Sequence, residues 1–276
     1  MVLRLIALLA ICFGAPLTLK SWTYGFNVRR LDLKLPFNPD WAVSILPQEK
    51  EALFLILSQS YTYLARGAQC FVFESQDGLY VLKIFQKNRH LFSHHISDPK
   101  KEREKIDFVL GGCAIAFTQA RRETALVHLH LNQTVNELPF VSIRDSIGRP
   151  FSLDLNRYWF TIQKRVRPLE DVFFEAEKSG RLSTYLRSCF SLFQRRAAKG
   201  IWNSEVCVGQ NIGFLGDEAI EIDFGRYMFR SEFFHPHAQR MELLRCTNQL
   251  RTFIERNLPG QLSLYDEELT QFMQTL

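Results

Sequence analysis

The stretch Ala219-Ile220-Glu221-Ile222-Asp223-Phe224-Gly225-Arg226 decides how this chain is read. Residues 219–222 alternate as a β-strand does, and the strand runs straight into an acidic-aromatic-glycine tripeptide. Asn211 stands twelve residues before Asp223. Such a tripeptide arises by chance in many chains. Its weight comes from what precedes it in order: a glycine in a hairpin (Gly67), a strand lysine (Lys83), a helix carrying a glutamate, and a loop that ends in Asn211.

Working outward, Pro47 to Ser60 reads as a short helix, with Gln48-Glu49-Lys50-Glu51 ahead of Leu53, Leu55, Ile56 and Leu57. Tyr63–Phe73 and Leu79–Phe85 are β-patterned runs joined by Ser75-Gln76-Asp77-Gly78, and Asp-Gly between two such runs signals a hairpin. Lys83 alternates with Leu82 and Ile84, so it shares a face with Val81 and Phe85, an apolar setting for a lysine. A long helix is expected over Glu102 to Leu131, interrupted near Gly111-Gly112. Phe140–Arg144 and Phe151–Leu155 flank a turn at Ile147-Gly148, and Tyr158–Val166 is a further strand. Helices follow at Leu169–Glu177 and at Leu182–Lys199, the second stopping at Gly200. Arg240–Asn257 and Asp266–Met273 close the chain as two helices.

In this order the features resemble the protein-kinase-like superfamily. On the pattern G-x-G-x-x-G-x-V, Ala65 takes the first glycine position, Gly67 the second, Cys70 the third and Val72 the valine. The resemblance gives Gly67 the close backbone approach to the nucleotide phosphates and makes Lys83 the strand lysine that contacts them. Glu123 is the glutamate expected to pair with that lysine, because Leu126, Leu129 and Leu131 follow it; Glu102 and Glu104 are its rivals. Asp223 and Asn211 become the metal-binding pair, with Gln210 a rival for the asparagine, and ATP with Mg²⁺ the implied cofactors. Residues 163–167 would be the hinge that meets the base. The catalytic loop departs from the family pattern. Asn203 stands at its histidine, Ser204 at its arginine and Glu205 at its catalytic aspartate, and Glu205 lies six residues before Asn211 where the pattern has five. Displacing a base by about 1 Å costs on the order of a hundredfold in rate. The resemblance, read with that departure, implies a pseudokinase with weak or no nucleotide binding. An active phosphotransferase using Glu205 as base and an interaction protein that kept only the fold are the alternatives.

The fold class expected is α+β: a two-lobed protein-kinase-like fold with a small, truncated helical C-lobe. The segments are 1–19, 20–60 as an arm with a short helix, 61–165 as the N-lobe, and 166–276 as a minimal C-lobe with no A-P-E segment. Hydrophobic residues make up 46% of the 276, against 23% charged, which fits a globular chain rather than a disordered one. The net charge of +5 is spread along the chain, so a solvated surface is expected and nucleic acid is not a partner. No protein partner is named by the sequence. Met1–Leu19 carries Arg4, an apolar run to Phe13 and Gly14-Ala15-Pro16, the form of an export signal or an uncleaved membrane anchor. Cys12 sits in a weak likeness to a lipoprotein box, and a buried apolar segment is the plain alternative. The six cysteines contain no C-x-x-C pair, so they are expected chiefly as core thiols. His90, His94 and His95 are expected as solvated side chains rather than metal ligands.

Overall fold

A computed structural model of the chain describes residues 21–43, 45–87, 99–205 and 207–276. The fold is mixed α+β, with a seven-stranded, a three-stranded and a two-stranded sheet. It divides into two compact units: residues up to 103 with 130–163, and residues 104–129 with 164–276. Met1–Leu19 with Cys12, and the three histidines at 90, 94 and 95, lie outside the described residues. Among the described residues no helix is long and apolar enough to cross a membrane.

The first unit is built on helix α1 (Pro47–Leu57) and the strands β1 (Ser60–Arg66), β2 (Cys70–Ser75) and β3 (Tyr80–Phe85). The β2–β3 turn forms where Asp-Gly signalled it. Gly78 adopts φ +70°, the left-handed conformation that glycine takes without a Cβ clash. Asp77 Oδ1 accepts from Leu79 N–H at 2.9 Å, and the Ser75 hydroxyl accepts from Tyr80 N–H at 3.0 Å. This fixes the register, with Phe73 opposite Leu82 and Val72 opposite Lys83. Phe71, Phe73, Leu82 and Ile84 are wholly buried. The arm is irregular as expected, but it is part of this core. Phe26 sets its ring edge-on against Phe71, Phe73 and Phe151 at centroid distances of 5.1, 5.6 and 5.3 Å.

Strands β5 (Phe140–Arg144) and β6 (Pro150–Asp154) form a hairpin about the turn read at Ile147-Gly148. The hairpin extends the sheet beyond β1, where β5 runs parallel to β1 with Tyr61 opposite Ile143. The sheet order is β4-β7-β3-β2-β1-β5-β6, with β4 at Leu126–His130 and β7 at Phe160–Lys164.

The expected long helix is corrected. Helix α2 runs Pro99–Gln119, straight through Gly111-Gly112, and a single turn, α3, covers Arg121–Thr124. Ala120 leaves helical geometry at φ −133°, and Ala125 turns left-handed at φ +51°. Leu126 and Leu129 therefore lie on strand β4 rather than on a helix. With only five residues involved, an alternating Leu-Val-His-Leu-His run serves either period, and the break at Ala120 and Ala125 decides it.

The second unit surrounds helix α5 (Leu182–Ala198), against which α4 (Leu169–Lys178), α7 (Pro236–Asn257) and α8 (Leu262–Gln274) pack. Gly200 follows α5 at φ +74°, the expected stop. Phe173, Phe190 and Phe193 are fully buried in this core, each worth roughly 1.5–3 kcal/mol of burial. Strands β8 (Arg167–Pro168), β10 (Ile212–Leu215) and β11 (Glu218–Glu221) form the three-stranded sheet, so part of the expected hinge is paired. A Cβ on Gly213 would stand 2.7 Å from the Arg167 carbonyl oxygen, which is why β10 can approach β8 so closely there. Strands β9 (Ile201–Asn203) and β12 (Tyr227–Phe229) make the two-stranded ribbon.

Candidate functional site

Asp223 stands on the turn between β11 and β12, with its side chain exposed while Phe224 is buried. The Asp223 Oδ1 accepts from Gly225 N–H at 3.4 Å, a long bond that leaves the carboxylate facing solvent. Asn211 ends the single-turn helix α6 (Val208–Asn211), and its carbonyl accepts from Ile222 N–H at 2.8 Å. That bond ties Asn211 to the residue just before Asp223. Gln210, the rival, is exposed, and its N–H is taken by the Cys207 carbonyl at 3.1 Å. The far side of the turn is closed by α2. A Cβ on Gly112 would lie 2.9 Å from the Gly225 carbonyl carbon and oxygen, so only a glycine lets the helix rest on this backbone.

Among the described residues no group of three or more His, Cys, Asp or Glu side chains could hold a metal ion. Mg²⁺ takes hard oxygen ligands and commonly one or two from the protein, with phosphates and water supplying the rest, so the pair implied by the resemblance would contribute one carboxylate, Asp223, and one carboxamide, Asn211.

Glu205 follows β9 as an exposed loop residue. Its N–H donates to Asn203 Oδ1 at 3.1 Å, and its carboxylate meets Arg226 Nε at 3.3 Å. The arginine that follows the Asp-Phe-Gly turn thus holds the carboxylate assigned as base. The Arg226 guanidinium also lies over the Phe108 ring of α2, 5.6 Å from its centroid.

Beneath this surface lies a cluster that the sequence reading missed. Arg196 of α5 is wholly buried, with Nη1 3.3 Å from Glu221 and Nη2 2.9 Å from Glu242. Glu221 accepts from the Tyr227 hydroxyl. Arg245 holds Glu242 from the other side at 2.7 Å and donates to the Asn203 carbonyl at 2.7 Å. Burial pushes the Glu221 carboxyl upward, opposed by the Arg196 charge. Burial alone would lower Arg196, but the Glu221 carboxylate beside it leaves the guanidinium above its ordinary value. Two signals were present. Leu186, Cys189, Phe193 and Arg196 recur at helical spacing on one face of α5, and Glu221 interrupts the apolar run Ala219–Ile222.

Glu123 is buried on α3, and its carboxylate meets Lys199 Nζ at 2.6 Å and Arg195 Nε at 3.5 Å. The sequence assigned Lys83 as its partner. In the first unit, Lys83 sits half-buried on β3 between buried Val81 and Phe85, the apolar flanks read from the alternation. Gly67 is exposed on the β1–β2 loop, where its N–H donates to the Cys70 carbonyl at 2.9 Å and its own carbonyl accepts from Gln86 Nε2 at 3.2 Å. A Cβ there would meet nothing closer than 3.8 Å, so the fold itself does not require glycine at this position.

No family model matches the chain, and no curated protein matches it. Among solved structures it is similar to WbdD, at 12% identity and a TM-score of 0.40, covering 75% of this chain and 46% of that one. WbdD co-crystallised with a kinase inhibitor gives 14%, 0.37, 75% and 45%. A structure described as the bifunctional kinase-methyltransferase WbdD gives 14%, 0.37, 73% and 43%. The chain spans less than half the length of these structures.

Proposed function

We propose that the chain is a protein-kinase-like protein in which Asp223 and Asn211 bind the Mg²⁺ of a nucleoside triphosphate, with phosphoryl transfer slow or absent. One observation carries this reading. The Asn211 carbonyl takes the Ile222 N–H at 2.8 Å, which fixes the loop end beside the Asp-Phe-Gly turn at the close of β11. When bound, the metal would neutralise phosphate charge. The residues of this chain have the simpler task of presenting two oxygen ligands from a braced turn. The Arg226 guanidinium stands 3.3 Å from the Glu205 carboxylate, so an attacking hydroxyl would have to compete with that ion pair for it. The resemblance assigns Gly67 and Lys83 to the phosphates, and Lys83→Met is the separate test of that assignment.

A thermal-shift titration with ATP and Mg²⁺ tests the reading. Ligand at tenfold its Kd stabilises the native state by about 1.4 kcal/mol, which raises Tm by roughly 3–6 °C for a chain of this size. Asp223→Ala is expected to abolish the shift and Asn211→Ala to weaken it. A wild-type chain that does not shift at millimolar ATP, and behaves as Asp223→Ala does, would overturn nucleotide binding and leave an interaction protein. Transfer of labelled phosphate that disappears in Glu205→Gln would instead identify an active phosphotransferase.

A further inference from the structure

The Asp223 turn and the Glu205 loop are tied to one buried charged cluster. Glu221 lies two residues before Asp223, and its carboxylate takes the hydroxyl of Tyr227, two residues after Gly225. On the neighbouring loop Asn203 Oδ1 accepts the Glu205 N–H at 3.1 Å, and the Asn203 carbonyl accepts from Arg245, which also holds Glu242 at 2.7 Å. A network runs from the candidate base's N–H through Asn203, Arg245, Glu242 and Arg196 into Glu221, and out to both flanks of the Asp-Phe-Gly turn. Arg196, with no exposed surface, anchors Glu221 to α5 at 3.3 Å and to Glu242 on α7 at 2.9 Å.

Buried charge of this kind is a poor source of stability, because well-packed apolar residues of similar volume often do as well or better. It is a good source of fixed geometry, since each hydrogen bond leaves the carboxylate few orientations. We propose that Arg196 and Glu221 are positioning residues, which hold the metal-binding turn and the Glu205 loop in one fixed relation. This rests on the metal-nucleotide reading above for its consequence in binding, but not for its consequence in backbone order.

The test uses the full chain with Tyr227→Phe, which removes one hydroxyl, and Glu221→Gln, which keeps a hydrogen-bonding group and loses the charge. Phe190→Leu, in the same core but outside the cluster, serves as a control that lowers Tm without touching the network. Two readouts are taken: affinity for ATP with and without Mg²⁺, and amide hydrogen exchange resolved by residue. Positioning predicts that both cluster variants accelerate exchange by about tenfold at residues 204–205 and 223–227, with the β10 amides unchanged. It predicts a loss of Mg²⁺-dependent affinity, of about fivefold to tenfold, that Phe190→Leu does not share at equal Tm. If exchange rises evenly over the unit, or if the control loses as much affinity as the cluster variants, the role is structural and the proposal fails. A wild-type chain that binds no nucleotide sinks the metal reading alone, and the exchange pattern still decides the positioning role.

Discussion

Glu221 and Asp223 are separated by one residue and face opposite surroundings, one buried among a guanidinium and a phenol, the other in solvent. Period-2 alternation alone would put both on the same face, so the strand must end between them, as it does at Glu221. His130 offers a residue-scale test in the first unit. Only an N–H can meet a carbonyl oxygen, so His130 Nδ1 donates to the Tyr158 carbonyl at 2.8 Å. Burial lowers the imidazole below its ordinary value of 6.5, with the Tyr158 bond opposing by a smaller amount. In the unfolded chain the ring takes up its proton first as pH falls. The stability this group contributes is therefore complete above 6.5 and declines on acidification toward the lower folded value, by at most about 1.4 kcal/mol per pH unit. Urea unfolding at pH 7.5 and 5.5 should show a smaller difference in His130→Gln than in the wild-type chain. An equal difference in both would refute the assignment.

Among the elements, Gly111 and Gly112 are adjacent in α2 and should respond with opposite sign. A Cβ at Gly111 meets nothing within 4 Å, so Gly111→Ala is expected to stabilise by about 0.5–1 kcal/mol through helix propensity. A Cβ at Gly112 meets the Phe224–Gly225 backbone at 2.9–3.0 Å, so Gly112→Ala must displace the helix or the turn, at a cost of about 1–3 kcal/mol. Urea melts of the two variants check this, and equal effects would refute the close approach. The pair also explains what the sequence made legible. The glycines were read as an interruption, because propensity counts them against a helix. Tertiary contact overrides that preference when the missing Cβ lets a backbone come near. The hairpin at Asp77-Gly78, the stop at Gly200 and the apolar flanks of Lys83 were legible because each follows from local geometry. The partners of Glu123 were not, since Lys199 and Arg195 are more than seventy residues away, and no local pattern distinguishes them from other cations.

At the scale of the whole molecule, neither compact unit is a single stretch of chain, so neither should fold when cut out by sequence position. A fragment beginning at 164 lacks α2 and α3. It would leave Lys199 and Arg195 without Glu123, Arg122 absent from Glu218, and the Phe224–Gly225 backbone uncovered. Circular dichroism of residues 164–276 is expected to show helix without a cooperative melt, and adding the 104–129 peptide should restore one. A sharp melt for the fragment alone would show that those contacts are dispensable.

The interleaving of the two units also sets a timetable for synthesis. Residues 104–129 leave the ribosome well before α5 and α7 exist to receive them. At the usual pace of translation the delay until Asn257 has been added is on the order of ten seconds. During that interval Ile106, Val109, Leu110 and Phe117, all buried in the finished protein, have nothing in their own unit to pack on. The helix whose Gly112 rests on the Asp-Phe-Gly turn thus spends that interval with its apolar face open to a chaperone.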